Sequence, residues 1–186
     1  MISTLSQDII AGLRARLDAA HDIASAAGDI LRHYFDAQTF AIEDKPDGSP
    51  VTTADREAEA CIRRAIDVAF PGDGLLGEEY GARDAESTTG YRWVIDPIDG
   101  TIAFVHGVPL FGILIGIEYE DHALAGLMEF PMLSERAWAI RGHGAWHQRA
   151  DREPVKAQVS DRLELEQAMV CTTSYDYFRD HGNGDA

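Results

Sequence analysis

Three acidic residues stand where strands are predicted to end, and their types could hold a divalent cation. Glu78 follows a short apolar run, and Asp96 and Asp99 follow the β-favouring residues 91–95. Strand ends in α/β sheets open onto the ligand crevice. Pro97 stiffens the turn between the two aspartates because its φ is fixed. Neighbouring carboxylates repel each other unless a cation lies between them, and hard oxygen ligands suit Mg²⁺. The pattern therefore indicates a magnesium site.

Gly100 and Thr101 follow these aspartates with groups that suit a phosphate. Glycine allows the backbone to approach a ligand closely. If a helical turn begins here, the free N–H groups of both residues form an anion site, and the Thr101 hydroxyl can hold a water. The alternative is that D-P-x-D-G is an ordinary turn, in which Asp and Gly need no function.

Two helices and a series of strands are predicted to position these residues. Apolar residues recur at helical spacing from about 6 to 34, and a second helix, from about 53 to 70, begins with a capping box of Thr52 and Asp55. Residues 44–50 and 81–90 are predicted loops. Strands are expected at about 40–42, 75–76, 91–95, 111–119, 123–130, 136–141 and 168–171. This order favours a layered α/β or α+β sandwich, with one domain over residues 1–186.

The composition restricts the partners and the compartment. The formal net charge is −16, so no basic stripe is available for nucleic acid. An acidic chain can still bind an anionic substrate through divalent cations, although solubility alone also explains the charge. No apolar run approaches a membrane span, and the first residues lack a signal-peptide pattern. Cys61 and Cys171 form no C-x-x-C motif. We expect a soluble cytoplasmic protein with neither nucleic acid nor membrane as partner.

Three sequence segments, in the same order along the chain as in the family, resemble motifs of the inositol monophosphatase family. Residues 93–101, W-V-I-D-P-I-D-G-T, resemble its D-P-[IL]-D-G-[TS] signature. Residues 77–79 resemble its G-E-E segment, and residues 49–55 its V-T-x-x-D segment. The stretches K-P-D-G-S-P-V-T and P-L-F-G resemble the histidinol-phosphatase branch. The resemblance implies an inositol monophosphatase/fructose-bisphosphatase-like fold, of which this chain is the N-terminal, metal-binding part, with two long helices and a mostly antiparallel sheet.

The resemblance also implies a role for each site residue. The implied metal ligands, for two or three Mg²⁺ ions in a complete site, are Glu78, Asp96, the backbone carbonyl of Ile98, and Asp99. Thr101 and Asp55 would orient and deprotonate the attacking water. Gly100, Thr101 and Asp99 would bind the substrate. Capping of the second helix is the simpler role for Asp55.

Two nearby residues, Glu79 and Lys45, are not expected to be metal ligands or catalytic groups. Glu79 is expected to support the site without binding the metal. Lys45, in the predicted loop, is expected to be solvated. The histidines at 106, 122, 143 and 147 lack ligand spacing, and the three tryptophans are expected to pack in the core or on a sheet face.

The chain departs from the family in two respects. Family members are longer, and their second half supplies a further aspartate in a W-D-x-A segment that ligates the second metal. No tryptophan of this sequence is followed by aspartate, and Ile102 stands where the family usually has a polar or basic residue. We therefore expect the C-terminal part of the fold to be absent, leaving apolar strand surface exposed.

The implied function is Mg²⁺-dependent hydrolysis of a small phosphate monoester, without a covalent phosphoenzyme. Histidinol phosphate is the first candidate substrate and inositol monophosphate the second. A homodimer is the assembly that the resemblance implies. Two alternatives are a non-catalytic metal- or phosphate-binding module and, less favoured, a phosphatase for 3′-phosphoadenosine nucleotides.

Overall fold

The protein is represented by a computed structural model that describes residues 5–46, 48–85, 89–169 and 171. Its elements are the helices α1 (Gln7–Ala37), α2 (Thr53–Ala69) and α3 (Thr101–Val105), a 3₁₀ helix (Leu165–Gln167), and the strands β1 (Ile42–Asp44), β2 (Pro50–Thr52), β3 (Gly74–Gly77), β4 (Gly81–Arg83), β5 (Tyr91–Asp99), β6 (Gly112–Tyr119), β7 (His122–Phe130), β8 (Glu135–Ile140), β9 (Gly144–Arg149) and β10 (Val155–Lys156). Among these described residues, no helix combines the length and apolarity needed to cross a membrane.

The strands form a two-stranded hairpin, β1–β2, and an eight-stranded sheet in the order β10-β9-β8-β7-β6-β5-β3-β4. Neighbours in the large sheet are antiparallel except β3 and β5, which are parallel. Helices α1 and α2 pack on each other; α1 contacts β6 and β7, and α2 contacts β5. The predicted fold class, two long helices on a mostly antiparallel sheet, is confirmed.

Both long helices begin at side-chain caps, of which the cap of α2 was predicted. The Ser6 hydroxyl accepts a hydrogen bond from the Ile9 amide at 3.3 Å, and α1 ends at Gln38, which is left-handed with φ 51°. Thr52 and Asp55 form the predicted capping box of α2, since each side chain accepts a hydrogen bond from the other residue's backbone amide. Local sequence signals therefore determine where the helices start.

The core lies between the two helices and one face of the sheet. Alternate residues of β5 and β6 point into it and are at most 2% exposed, namely Trp93, Ile95, Ile113, Ile115 and Ile117. A polar group is buried with them. Asp73, 1% exposed, accepts two hydrogen bonds from Arg16 at 2.7 and 2.8 Å and one from the Trp93 indole at 2.8 Å. These contacts tie α1 to β5.

The opposite face of the sheet carries no helix among the described residues. Cross-strand pairing places Asp96, Leu114, Met128 and Ala137 in one row, one residue out of phase with the core-facing row. Small and apolar side chains line a groove of about 740 Å³ there, and Met128 is 44% exposed. The expected exposed apolar surface is present, and its row continues from Asp96.

The structure departs from the predicted strands in several places, and strand β2 (Pro50–Thr52) was not predicted. Residues 81–83 of the predicted loop pair with β3 as β4, and the strand expected at 40–42 lies at Ile42–Asp44. Strands β9 and β10 were not predicted, because residues 144–149 mix small, aromatic and charged types and are mostly half-buried. The strand expected at 168–171 is wrong for the residues described there: 168, 169 and 171 are exposed and outside any strand.

Candidate active site

Parallel pairing of β3 and β5 brings Glu78 beside Asp96. Gly77 is in register with Ile95, and the Glu78 amide donates a hydrogen bond to the Ile95 carbonyl at 3.1 Å. The next residue on each strand is the acidic one. The two carboxylates, 18 positions apart in the sequence, therefore meet at the same sheet edge, as expected for strand ends.

The environment of Asp96 favours the protonated form of its carboxyl group. Burial, followed by the neighbouring Glu78 carboxyl group and the charge of Asp99, raises the pKa of Asp96 to about 7. A hydrogen bond from the Ile98 amide to Asp96 Oδ1, at 3.1 Å, opposes the shift. A carboxyl group whose pKa is raised by neighbouring carboxylates attracts a cation, because a cation between them removes the repulsion.

Strand β5 continues beyond its predicted end at Ile95. It runs to Asp99 with a shift in register between Asp96 and Asp99, which is a β-bulge or similar irregularity. Pro97, which cannot donate to a ladder, lies within this irregular stretch, where proline is tolerated. The predicted turn is therefore a distorted strand end. It leaves Ile98 buried at 2% exposure and Asp99 exposed.

A helical turn does begin after these aspartates, as the anion-site expectation required. Gly100 has φ 94°, and a Cβ there would lie 3.2 Å from the Leu110 carbonyl oxygen, so the position requires glycine. Its carbonyl accepts a hydrogen bond from the Phe104 amide at 3.1 Å. Phe104 is fully buried against Phe40 and Phe111, and this packing fixes the short helix α3.

Asp55 both caps α2 and contacts Thr101. Its Oδ2 accepts hydrogen bonds from the Thr52 amide at 2.7 Å and the Thr52 hydroxyl at 2.6 Å. The Thr101 hydroxyl lies 3.4 Å from Asp55 Oδ1 and 3.0 Å from the Ile98 carbonyl oxygen. Burial raises the pKa of Asp55, and hydrogen bonds from Thr52 oppose the shift. The capping role is thus present, and the contact with Thr101 is made in addition.

Lys45 is not the solvated loop residue that was expected. The β1–β2 hairpin carries it to the site, where its Nζ donates hydrogen bonds to Glu78 Oε1 at 2.5 Å and Glu79 Oε1 at 2.7 Å. Its side chain is only 18% exposed. Burial lowers the pKa of Lys45, but the hydrogen bonds and charges of the two glutamates outweigh it and raise the pKa overall. The sequence could not reveal this contact, because the residues between Lys45 and the second helix include two prolines and a glycine and predict only a loop.

Sequence reasoning also missed Glu59, which supports the segment carrying Glu78. This glutamate is fully buried in α2, and it accepts hydrogen bonds from the amides of Glu79 at 2.7 Å and Tyr80 at 3.2 Å. A Cβ at Gly77 would lie 1.9 Å from Glu59 Oε1, which explains the glycine of the G-E-E segment. A charged residue on the apolar side of a predicted helix was the available signal.

The donor set fits Mg²⁺, although it is not assembled as a ready metal cluster. Within the described ranges, no three His, Cys, Asp or Glu side chains are grouped so that they could hold a metal ion. However, Glu78 and Asp96 are adjacent, Asp99 is near enough to affect the pKa of Asp96, and the Ile98 carbonyl lies in the distorted stretch between the aspartates. All of these donors are hard oxygens, as Mg²⁺ prefers. The assignment of ligands stays a prediction.

Comparison with known proteins agrees with the arrangement of these elements. A histidinol-phosphatase of Chlorobaculum parvum is 42% identical over 164 residues, which are 88% of this chain and 61% of that protein. An inositol-1-monophosphatase of Mesorhizobium japonicum is 35% identical over 84% of the chain and 57% of its own length. The chain thus spans about three-fifths of these curated relatives.

Solved structures give the same answer for the fold. The crystal structure of the extragenic suppressor protein SuhB from Bartonella henselae is similar, with a TM-score of 0.72 and 34% identity over 80% of this chain and 55% of that one. The profile of the inositol monophosphatase family matches residues 13–183. Since this match covers far more than half of the sequence, the chain belongs to the inositol monophosphatase family.

Proposed function

We propose that the protein hydrolyses a small phosphate monoester in a Mg²⁺-dependent reaction, and that histidinol phosphate is its substrate. The observation that carries the proposal is the Glu78–Asp96 pair, placed beside the contact between Asp55 and Thr101. The choice of substrate is supported by the histidinol-phosphatase of C. parvum, which is 42% identical. Because the chain spans 61% of that relative, the activity is proposed for a polypeptide that also carries a counterpart of the remainder.

Mg²⁺ would be held by the carboxylates of Glu78, Asp96 and Asp99 and by the carbonyl oxygen of Ile98. When bound, Mg²⁺ acts as a Lewis acid toward phosphate oxygens and promotes the ionisation of water. The Glu78 and Asp96 carboxylates must both be charged to bind it. Since the pKa of Asp96 is raised to about 7, protons and Mg²⁺ compete for this site near neutral pH.

The remaining residues of the site bind and orient. The Thr101 hydroxyl, 3.4 Å from Asp55 Oδ1, can accept a hydrogen bond from the attacking water while donating its own proton toward Asp55. Asp55 then takes up the proton, and Thr52 holds the other oxygen of its carboxylate in place. The amides of Gly100 and Thr101, together with Asp99, would bind the substrate.

Phosphate release from histidinol phosphate tests the proposal. Release is expected only with Mg²⁺, and Asp96→Asn should abolish it. The matched control is Asp67→Asn, which makes the same change on the exposed face of α2, where Asp67 pairs with Arg83. This control should release phosphate at the wild-type rate. Release that persists in excess chelator would contradict the proposal.

Inositol monophosphate is the second candidate substrate, favoured by the 35% identity to the M. japonicum inositol-1-monophosphatase. A panel of both substrates at equal concentration would rank them by kcat/KM. A polypeptide that binds Mg²⁺ or phosphate in calorimetry yet hydrolyses neither substrate would instead be a non-catalytic binding module. We further propose a cytoplasmic location and a homodimer, in line with the family resemblance.

A further inference from the structure

The Lys45 ammonium group bridges two glutamates that differ in their exposure to solvent. It lies 2.5 Å from Glu78 Oε1 and 2.7 Å from Glu79 Oε1. The Glu78 side chain is 44% exposed, whereas that of Glu79 is 5% exposed. A buried carboxylate needs its cation, because desolvation is costly without one. An exposed carboxylate can exchange its partner for another cation or for water.

We propose that Lys45 is an internal counter-ion that competes with Mg²⁺ for Glu78 and stays anchored by Glu79 when the metal binds. This inference rests on the proposed metal site. Glu78 is the residue shared by the two cations, since it lies beside Asp96 on one side and pairs with Lys45 on the other. Lys45 would therefore weaken Mg²⁺ binding.

The exchange requires little movement of the backbone. Lys45 begins a tight hairpin turn, in which its amide donates to the Ser49 carbonyl at 2.8 Å and its carbonyl accepts from the Gly48 amide at 2.9 Å. The preceding strand is tied to α2 through Glu43 and Arg56, which are 2.6 Å apart. The four-carbon stem of lysine can shift its ammonium group by rotamer changes alone. The hairpin can thus stay in place while the ammonium group leaves Glu78.

Substitution of Lys45 should strengthen metal binding, because it removes a cation and leaves the carboxylates. Calorimetric titration of the full chain with MgCl₂ should give a Kd about three- to fivefold lower for Lys45→Met, as expected for a partly exposed ion pair. The conservative variant Lys45→Arg keeps the charge and should bind more nearly as the wild type does. Circular dichroism would confirm that each variant is folded.

The sequence offers one matched control, since it has two lysines, Lys45 and Lys156. Lys156 lies exposed on β10, at the far edge of the sheet from β3. Lys156→Met changes the net charge equally but should alter Kd by less than about 1.5-fold, because salt at 0.15 M screens charges beyond about 8 Å.

A second readout follows the ammonium groups directly. Nuclear magnetic resonance of protein labelled with ¹³Cε-lysine should give one signal for each lysine. During the MgCl₂ titration, the Lys45 signal should shift with the calorimetric midpoint and the Lys156 signal should stay.

The outcomes separate this inference from the proposed function. If Mg²⁺ binds equally or more weakly to Lys45→Met, or if the Lys45 signal does not shift while Mg²⁺ binds, the counter-ion role is refuted and the metal site survives. If neither wild type nor Lys45→Met binds Mg²⁺, the proposed metal site is refuted, and the proposed competition between Lys45 and Mg²⁺ is refuted with it.

Discussion

Asp55 Oδ1 lies 3.4 Å from the Thr101 hydroxyl, although 46 residues separate the two in the sequence. The other oxygen of Asp55 receives both hydrogen bonds from Thr52 that belong to the cap of α2. One carboxylate thus joins the start of a long helix to the start of α3. Since Thr101 lies two residues after Asp99, the last residue proposed to bind Mg²⁺, the cap of α2 sets the position of the proposed proton acceptor.

The two roles of Asp55 can be separated by two substitutions. Asp55→Asn keeps an oxygen that can accept the capping hydrogen bonds, so the free energy of unfolding should fall by less than about 1 kcal/mol. Removal of a proton acceptor should still lower kcat for phosphate release by about 10²- to 10⁴-fold. Asp55→Ala should lose the activity and also about 1–2 kcal/mol of stability. Urea unfolding and kinetic assays measure the two effects. A fully active Asp55→Asn would exclude the proton-acceptor role.

Breaking the buried ion pair of Arg16 and Asp73 should strongly destabilise the protein. Arg16 makes two hydrogen bonds to Asp73, and its guanidinium group lies 3.5 Å from the centre of the Tyr91 ring. Asp73→Ala would leave the guanidinium group buried without its carboxylate. We expect the free energy of unfolding to fall by about 3–5 kcal/mol.

Urea denaturation would measure this loss, with Glu43→Ala as the control. Glu43 also pairs with an arginine, Arg56, but both side chains are at least 41% exposed. Its removal should cost less than about 1 kcal/mol. If the free energy of unfolding falls equally in the two variants, burial of the Arg16 guanidinium group does not increase the cost of removing its partner.

The parts of the site that sequence predicts are those determined by local signals. The capping box of Thr52 and Asp55 lies within four residues, and the D-P-I-D-G-T run carries its own bend. The meeting of Glu78 and Asp96 was expected because both follow predicted strands, and strand ends gather at one edge of a sheet. Each of these predictions needs only the residue pattern and one general rule of sheet geometry.

The parts that were missed depend on contacts between distant side chains. The position of Lys45 depends on a hairpin of three residue pairs, which has no strong sequence pattern of its own. The role of Glu59 depends on Gly77 of β3, whose missing side chain makes room for the buried carboxylate, and the helix pattern alone does not show this contact. Strand β5 was predicted to end at Ile95, before Pro97, because a bulge cannot be recognised before the partner strand is known.

His21 should make stability fall in mildly acidic solution. Burial and the charge of Arg136 lower its pKa from the ordinary value of 6.5, and Asp18 and Asp22 only partly oppose the shift. Just below pH 6.5 the unfolded chain therefore binds more protons than the folded chain. The free energy of unfolding consequently decreases as the pH falls below about 6.5. Above that pH, His21 is neutral in both states and the free energy of unfolding no longer changes through this residue.

The His21→Gln variant isolates this effect. The difference in unfolding free energy between wild type and variant, measured by urea titration from pH 7.5 to 5, should move in favour of the variant as the pH falls. His143→Gln, the same change at an exposed turn residue, is the control. A constant difference for His21→Gln would show that burial of this imidazole does not affect its protonation.

The apolar face of the sheet should make this chain associate in solution. Met128, 44% exposed, lies between Leu114 and Ala137 in a row without charged side chains after Asp96. Contiguous apolar surface of this kind promotes association.

Met128→Lys should therefore reduce the average mass seen by sedimentation velocity at high protein concentration. The free energy of unfolding should change little, because the side chain is exposed. Val68→Lys adds the same charge at a residue of α2 that is 86% exposed on the helical layer, and it should leave the mass unchanged. Equal sedimentation of the two variants would show that association does not use the apolar face.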